Sequence, residues 1–295
     1  MWNRRSMLRA LAAAIAVVCC ACGGTPTAVE PQSPGDTTPT RVVVLDPGIA
    51  EVFIHLELTD QMAGRPDYTD HLKSITHIPT MGTGITPQYE RIVRADPDLI
   101  LTTGSRGKVL GDLQNIAPTN NHNWLKTEEV VSNTRAIGAL MGKAAAADAL
   151  ADRIAQGLTP TTTTDSPRVL ILLGAPSLTA SELWYAKSNS LHGSALQAAG
   201  GHNAIPDEVD GPPSLSIEAL LKIDPDIILI MTPDATSTDT AAHMSFWERF
   251  PMLAAVQHKR IDFLTGREHY STGPGVIEFK RVIHEAIERL QGSRP

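Results

Sequence analysis

The stretch Glu90-Arg-Ile-Val-Arg-Ala-Asp-Pro-Asp-Leu-Ile-Leu101 recurs 128 residues later as Glu218-Ala-Leu-Leu-Lys-Ile-Asp-Pro-Asp-Ile-Ile-Leu229. Six of the twelve positions are identical between the two copies. Each copy is typical of a short helix that stops before a proline and then turns into a buried strand, because proline cannot continue a helix. The duplication therefore predicts two lobes of similar structure.

Short apolar runs alternate with amphipathic stretches along the rest of the chain. The strand candidates are Arg41–Asp46, Leu99–Thr103, Arg168–Leu173 and Ile227–Met231. Alternation of strands and helices predicts α/β lobes with mainly parallel sheets. We expect an N-terminal lobe at 41–126 and a C-terminal lobe at 159–295.

Residues 127–158 are expected to connect the lobes as one long spine helix. Thr127 can cap its start, and the alanine-rich run at 144–149 favours helix. Gly138 and Gly142 each cost about 1 kcal/mol relative to alanine in a helix, which leaves a kink or a break open.

The N-terminus is typical of an export signal. In residues 1–21, Arg4 and Arg5 precede an apolar run that is shorter than the roughly 20 residues needed to span a bilayer. The paired arginines suggest the twin-arginine export route, with general secretion as the open alternative. The small, polar, proline-rich residues 22–40 predict a flexible tether.

The three cysteines of the chain, Cys19, Cys20 and Cys22, all lie at the end of the signal segment. Cys22 follows Ala21 and precedes two glycines, a pattern similar to the lipobox of bacterial lipoproteins. We therefore expect lipidation at Cys22 and attachment to the extracytoplasmic face of the cell membrane. With no thiol after residue 22, the body of the protein has no disulfide framework and no cysteine nucleophile.

Charge and motifs exclude several classes of function. The chain has a formal net charge of −7, and loss of residues 1–21, which hold three arginines and no acid, makes it −10. An acidic body argues against nucleic-acid binding. No Gly-x-Ser-x-Gly or His-Glu-x-x-His motif is present, so we predict no catalytic residues and no enzyme. His71 and His77 do not share a helix face, and no metal site is predicted.

The repeated Glu-x6-Pro-Asp block, the two lobes and the lipoprotein start resemble the solute-binding proteins of iron-complex ABC importers, over residues 41–291. That group includes receptors for ferric siderophores, haem and cobalamin. The resemblance implies two parallel-sheet lobes joined by one long helix, with a ligand cleft between the lobes. It also implies a monomer that binds a small iron complex, works with ABC permease subunits and carries no resident cofactor.

The resemblance assigns docking roles to Glu90 and Glu218. The group places one exposed glutamate on each lobe, in the first turn of the repeated helix, where it pairs with an arginine of the permease. Separated carboxylates of this kind set docking register and association rate more than affinity.

The resemblance also implies ligand-binding residues. The strand that leads to Arg106 and the loop that carries Tyr270 look like cleft segments of siderophore receptors. Further cleft candidates are Tyr68, Trp124, Tyr185 and Lys187. A guanidinium suits the oxygens of a ferric catecholate, and a phenol adds a donor beside an apolar ring.

These segments favour a ferric siderophore, with haem or cobalamin as alternatives on the same architecture. An exported enzyme or a signalling lipoprotein on the same fold is the alternative of another class.

Overall fold

The computed structural model of the protein describes residues 38–206, 211–234 and 240–292. The predicted signal peptide at 1–21, the lipidation site Cys22 and residues 22–37 of the predicted tether lie outside these residues. Among the residues described, no helix is both long enough and apolar enough to cross a membrane.

The N-terminal lobe is a four-stranded sheet with helices on both faces. Its elements are β1 (Val42–Val44), α1 (Pro47–His55), β2 (Met62–Gly64), α2 (Tyr89–Ala95), β3 (Leu99–Thr103), α3 (Gly107–Gln114) and β4 (Thr119–His122). The strands lie in the order β2-β1-β3-β4, and every neighbouring pair is parallel.

The C-terminal lobe contains a second four-stranded sheet. After the connecting segment, which holds α4 (Thr127–Leu140) and α5 (Ala144–Gly157), its elements are β5 (Arg168–Leu172), β6 (Glu182–Trp184), α6 (Leu191–Ala198), β7 (His202–Asn203), β8 (Ser214–Ser216), α7 (Ile217–Ile223), β9 (Ile227–Thr232), α8 (Thr240–Trp247), α9 (Ala254–Gln257), β10 (Ile261–Thr265) and α10 (Val276–Gly292). The sheet order β10-β9-β5-β7 is again fully parallel, and β6 pairs with β8 as an antiparallel ribbon.

The internal repeat is visible as two sheets of the same design. The order β2-β1-β3-β4 corresponds to β7-β5-β9-β10, and α2 and α7 occupy the repeated sequence. Both helices end at an aspartate in the left-handed region, Asp96 with φ 47° and Asp224 with φ 44°. The prediction of an α/β fold with parallel sheets in two similar lobes is confirmed.

A matching arginine ties helix to strand in each lobe. Arg41 donates from its backbone nitrogen to Asp98 and from its guanidinium to the last carbonyls of α2. Arg168 makes the same contacts with Asp226 and the last carbonyls of α7. A cation at a helix C-terminus satisfies unpaired carbonyls and complements the helix dipole.

The connecting segment corrects the single-spine-helix prediction, because α4 and α5 are separate helices. Gly142 has φ +68°, in the left-handed region that favours glycine. The Lys143 amide donates to the Gly138 carbonyl at 2.7 Å, and the Gly142 amide donates to the Ala139 carbonyl at 3.3 Å. This pair of bonds is the Schellman motif, which ends a helix and turns the chain away from its axis.

The two connecting helices pack against each other as a hairpin. A Cβ added to Gly138 would lie 2.0 Å from the Cβ of Ala147, so the backbones are in close contact there. Arg135 of α4 reaches Asp152 of α5, with Nη2 and Oδ1 2.5 Å apart.

The largest group of buried side chains runs through both lobes and the hairpin. Along each central strand, alternate residues point into this shared core or into the separate core on the outer face of their own sheet. In β5, for example, Val169 and Ile171 enter the shared core, whereas Leu170 and Leu172 face the outer one. The two lobes therefore rest on common apolar packing.

Candidate functional site

A pocket of about 360 Å³ lies between the two lobes. The pocket lies at the carboxyl ends of central strands in both sheets. Its lining includes Pro47, just beyond β1, and Pro233, directly after β9. Ligands of open α/β sheets bind at this end of the strands. Among the described residues, the lining is formed by Pro47, Glu51, Tyr68 and His71 from the N-terminal lobe, and by Pro233, Arg267, Tyr270 and Ser271 from the C-terminal lobe.

The loop that carries Tyr68 and His71 is held by a buried arginine. The Arg65 guanidinium donates to the Ile78 carbonyl at 2.9 Å, to the Thr69 hydroxyl at 2.8 Å and to the Asp70 carboxylate at 2.8 Å. This clamp fixes the loop from both sides although its tip is exposed.

Tyr68 lies at the tip of this loop with 71% of its surface exposed and φ +65°. A tyrosine in the left-handed region is strained, and such strain is concentrated at ligand sites. The ring therefore stands at the pocket without the apolar packing that usually covers a tyrosine.

Tyr270 forms part of the opposite lobe's wall and is fixed by its hydroxyl. The hydroxyl donates to the Met231 carbonyl of β9 at 3.0 Å, and burial raises the pKa of the phenol. Because the hydroxyl is already bonded, Tyr270 offers mainly its ring to a ligand. Arg267 of the same loop also lines the pocket, 3.8 Å from the Asp234 carboxylate.

Glu51 is buried where the lobes meet. It projects from α1, and its Oε2 accepts from the Ser271 hydroxyl at 2.7 Å and from the Gly275 amide at 2.7 Å, both in the C-terminal lobe. Burial raises the pKa of this carboxyl to about 7, against the opposing effect of these two hydrogen bonds. The group is therefore close to half ionised near neutral pH.

Two further contacts join the lobes beside Glu51. Trp124 is buried, and its indole nitrogen donates to the Thr272 carbonyl at 2.8 Å. Gly48 and Gly273 touch through their backbones, since a Cβ on Gly273 would lie 2.7 Å from the Gly48 carbonyl oxygen. The structure thus places Trp124 in the joint between the lobes, not on the pocket lining.

The other ligand-binding candidates lie away from this lining. Arg106 is exposed between β3 and α3, and Tyr185 is buried in the outer core of the C-terminal lobe. Lys187 donates to the Gly211 carbonyl at 3.1 Å. The structure therefore brings together two of the six candidates, Tyr68 and Tyr270.

Asp46, two residues after β1, stabilises the start of α1 and its contact with β3. It caps α1 by accepting from the Gly48 and Ile49 amides, and its other oxygen accepts from the Thr103 hydroxyl at 2.7 Å. Burial raises the pKa of this carboxyl. Within the described residues, no group of three or more His, Cys, Asp or Glu side chains is arranged to hold a metal.

Glu90 and Glu218 occupy equivalent places in the two lobes. Each is exposed in the first turn of its helix, α2 or α7. Glu218 pairs with Lys222 one turn later, at 2.8 Å. The repeat therefore presents one carboxylate on each lobe.

Sequence reasoning missed Glu51, Arg267 and Ser271. A signal for Glu51 was present, because it is the one acidic residue in the otherwise apolar run from Pro47 to Ile54. An acid at such a position is buried with the helix face on which it lies.

Comparison with known proteins gives two informative relatives. A cobalamin-binding protein of Halobacterium salinarum is 31% identical over 207 residues, covering 66% of this chain and 54% of the relative. The chain thus spans about half that relative's length. The putative ABC transporter substrate-binding lipoprotein YhfQ of Bacillus subtilis is 28% identical over 284 residues, covering 87% of this chain and 84% of that protein.

Among solved structures, the vitamin B12 binding protein BtuF of Vibrio cholerae superposes with a TM-score of 0.70 at 18% identity, covering 86% of this chain and 98% of that one. This likeness supports the fold alone. The family model described as periplasmic binding protein matches residues 42–267. With that match over most of its length and a pocket at the strand ends between two lobes, the chain belongs to the periplasmic binding protein family.

Proposed function

We propose that this protein is the extracytoplasmic substrate-binding subunit of an ABC importer and captures a metal chelate between its lobes. The observation that carries the proposal is the pocket built from both lobes, with Tyr68 from one and Tyr270 from the other. Tyrosine and proline rings combined with four polar side chains suit a large, partly apolar ligand that also carries polar groups. The cobalamin-binding relative and the similarity to YhfQ support the same class.

The charges around the pocket favour a chelate of low net charge. Among the described lining residues, Arg267 is the one arginine or lysine, and the buried Glu51 and nearby Asp234 oppose its charge. A triply anionic ferric catecholate would leave most of its charge uncompensated in a partly buried site, which is unfavourable. Within the siderophore class, the pocket therefore suits a ferric hydroxamate.

Cobalamin is the second candidate, favoured by the 31% identical relative. A corrinoid is also a large metal chelate with little net charge, so the same electrostatic argument applies to it.

Delivery of the ligand to the permease would depend on one exposed glutamate on each lobe and on a lipid anchor at the N-terminus. Glu90 and Glu218 would engage arginines of the permease, and lipid on Cys22 would hold the monomer at the membrane. The proposal is binding without turnover, so a captured ligand should be recovered chemically unchanged.

A tryptophan-fluorescence panel tests the ligand class. The probes are a ferric trihydroxamate, a ferric triscatecholate, cyanocobalamin and haemin, with free N-acetyltryptophanamide as the control for light absorption by the chelate. We expect saturable quenching by the trihydroxamate or by cyanocobalamin, at least ~100-fold tighter than by the triscatecholate.

Absence of saturable binding by all four probes would refute the chelate proposal. Binding of the triscatecholate or haemin alone would refute the low-charge argument. Mass spectrometry of the released ligand would detect any turnover.

A further inference from the structure

A second, smaller pocket of about 170 Å³ adjoins the main one. The two share Glu51, His71 and Ser271, so the second forms a side pocket of the cleft. Its volume accommodates on the order of five groups the size of water. The remaining lining residues are Ile54, His55, Leu72, Glu268, His269, Gly275, Glu278 and Phe279.

Glu51 has unused hydrogen-bonding capacity in this side pocket. The carboxyl is 6% exposed, and both of its cross-lobe hydrogen bonds reach the same atom, Oε2. Within the described part of the chain, no donor is bonded to Oε1. Oε1 keeps some exposure to solvent, so it is accessible from the pocket, and a ligand N–H that displaces water there gains a hydrogen bond to the carboxyl group.

Two histidines contribute further acceptors. The Nδ1 atoms of His71 and His269 are buried and have no hydrogen-bond partner among the described residues. The whole His269 residue is 7% exposed. Burial lowers the pKa of both imidazoles and so favours their neutral form, which has one acceptor nitrogen; this is Nδ1 when Nε2 carries the proton.

The rest of the side pocket is apolar or acidic. Ile54, Leu72 and Phe279 provide carbon surface, whereas Glu268 and Glu278 carry negative charge. An anionic group would be repelled by these acids, and the carboxylates and imidazoles do not form a metal cluster. A short alkyl stem with a hydrogen-bond donor at its tip matches both the walls and the acceptors.

We propose that the side pocket selects ligands that carry a short alkyl arm ending in an N–H donor, a primary ammonium or a primary amide, which binds Glu51 and His71. This inference rests on the proposed capture of a chelate in the main pocket. It makes Glu51 a determinant of ligand choice in addition to a contact between the lobes.

Matched ligand series provide the test. One series is a ferric trihydroxamate whose free arm ends in an ammonium, a primary amide or a methyl ester. The other is cobalamin with its primary amides intact or with one of them converted to a methyl ester. We expect a donor-bearing arm to bind the wild-type protein at least ~10-fold more tightly than the ester in one of the series, the gain expected of one buried hydrogen bond to a charged or strongly polar partner.

The variants separate recognition from folding. Glu51→Gln keeps an oxygen that can accept from Ser271 and Gly275, and we expect it to reduce the preference for ammonium over ester to about twofold. His71→Phe should reduce the preference for the amide. Glu285→Gln is the matched control, because Glu285 lies on α10 and is bonded to Arg281 but lines neither pocket, and it should retain the full preference.

The affinities of the ligand series distinguish failure of the side-pocket proposal from failure of chelate capture. Equal affinity for all arms in both series would overturn the side-pocket proposal while leaving chelate capture intact. A uniform loss of affinity for every arm in Glu51→Gln would assign Glu51 to lobe contact alone and would also overturn it. If the wild-type protein bound no member of either series, chelate capture itself would fail.

Discussion

Glu51 gives the protein a protonation equilibrium that depends on contact between the lobes. Burial, the largest cause, raises its pKa from the ordinary 4.5 to about 7, and the negative charge of Asp46 adds to the effect. Folding therefore takes up a proton between these pH values. The contribution of Glu51 to the free energy of unfolding is greatest below pH 4.5 and is lost as the pH rises through 7.

The variant Glu51→Gln should remove this pH dependence. Between pH 5 and pH 8, we expect the wild-type protein to lose on the order of 3 kcal/mol of unfolding free energy relative to the variant. Urea unfolding curves at both pH values measure the difference, in which the contributions of neighbouring histidines largely cancel. A constant difference between the two proteins at all pH values would contradict the raised pKa.

At the residue scale, tertiary packing decides which side chains face the pocket. Of the two segments that resemble siderophore receptors, the one with Tyr270 reaches the lining and the one with Arg106 does not, while Tyr68 also lines the pocket. That these tyrosines bind a ligand stays a prediction. Tyr185 is equally aromatic, but packing of the outer core encloses it. Whether a tyrosine faces a cleft or a core depends on residues distant in sequence, and one sequence does not contain that information.

At the scale of elements, Gly142 divides the predicted single spine helix into the two helices of the connecting hairpin. Glycine in a helix costs about 1 kcal/mol, which a long helix can tolerate. A glycine can also end a helix, when the last helical carbonyls accept the two hydrogen bonds of a Schellman motif. Gly142 does so here, where the Gly138 and Ala139 carbonyls are the acceptors. Sequence left both outcomes open, and contact between α4 and α5 selects the hairpin.

The substitution Gly138→Val tests this helix packing. Its side chain would overlap Ala147, since even a Cβ would lie 2.0 Å from the alanine Cβ. We expect a loss of about 2–3 kcal/mol in unfolding free energy, typical of overpacking at a tight contact. Denaturant midpoints, with m-values compared, measure the loss.

Gly142→Ala is the matched control for the hairpin. Its added Cβ would make only an ordinary contact with Thr38 Oγ1 at 3.6 Å, so the cost is the strain of a left-handed backbone position, about 1 kcal/mol. Equal stability of Gly138→Val and the wild-type protein would show that α4 and α5 do not pack at this point.

At the scale of the whole molecule, the duplicated sequence correctly predicted two parallel-sheet lobes. The identical strand orders arise because each copy contributes the same helix and central strand. In each lobe an arginine, Arg41 or Arg168, binds the carbonyls at the end of that helix. The distance between the lobes and the shape of the pocket were not predictable, since both depend on the shared core and on the loop at 267–275.

Docking through both lobes predicts a selective effect of charge reversal. In the double variant Glu90→Lys with Glu218→Lys, two permease contacts would become repulsive, so uptake of the radiolabelled chelate should fall at least ~10-fold. Ligand affinity measured by fluorescence should stay within about twofold, because neither residue lines the pocket. Loss of the exposed Glu218–Lys222 ion pair should cost little stability.

The control pair is Glu57→Lys with Glu182→Lys, which reverses one exposed acid on each lobe outside these helices. It should leave uptake unchanged. An equal fall in uptake for both pairs would mean that overall charge, and not these two positions, governs docking.

A rotation of one lobe against the other would pivot at the backbone contact between Gly48 and Gly273. This contact lies beside Pro47 and Ser271 on the pocket lining, and the cross-lobe bonds of Glu51 and Trp124 flank it. A lobe rotating about this point would swing the distant rim, where Tyr68 stands, far more than the base of the pocket. Under such a rotation the rim would adjust to the bulk of a cargo, while the base of the pocket, beside the contact, would change shape least.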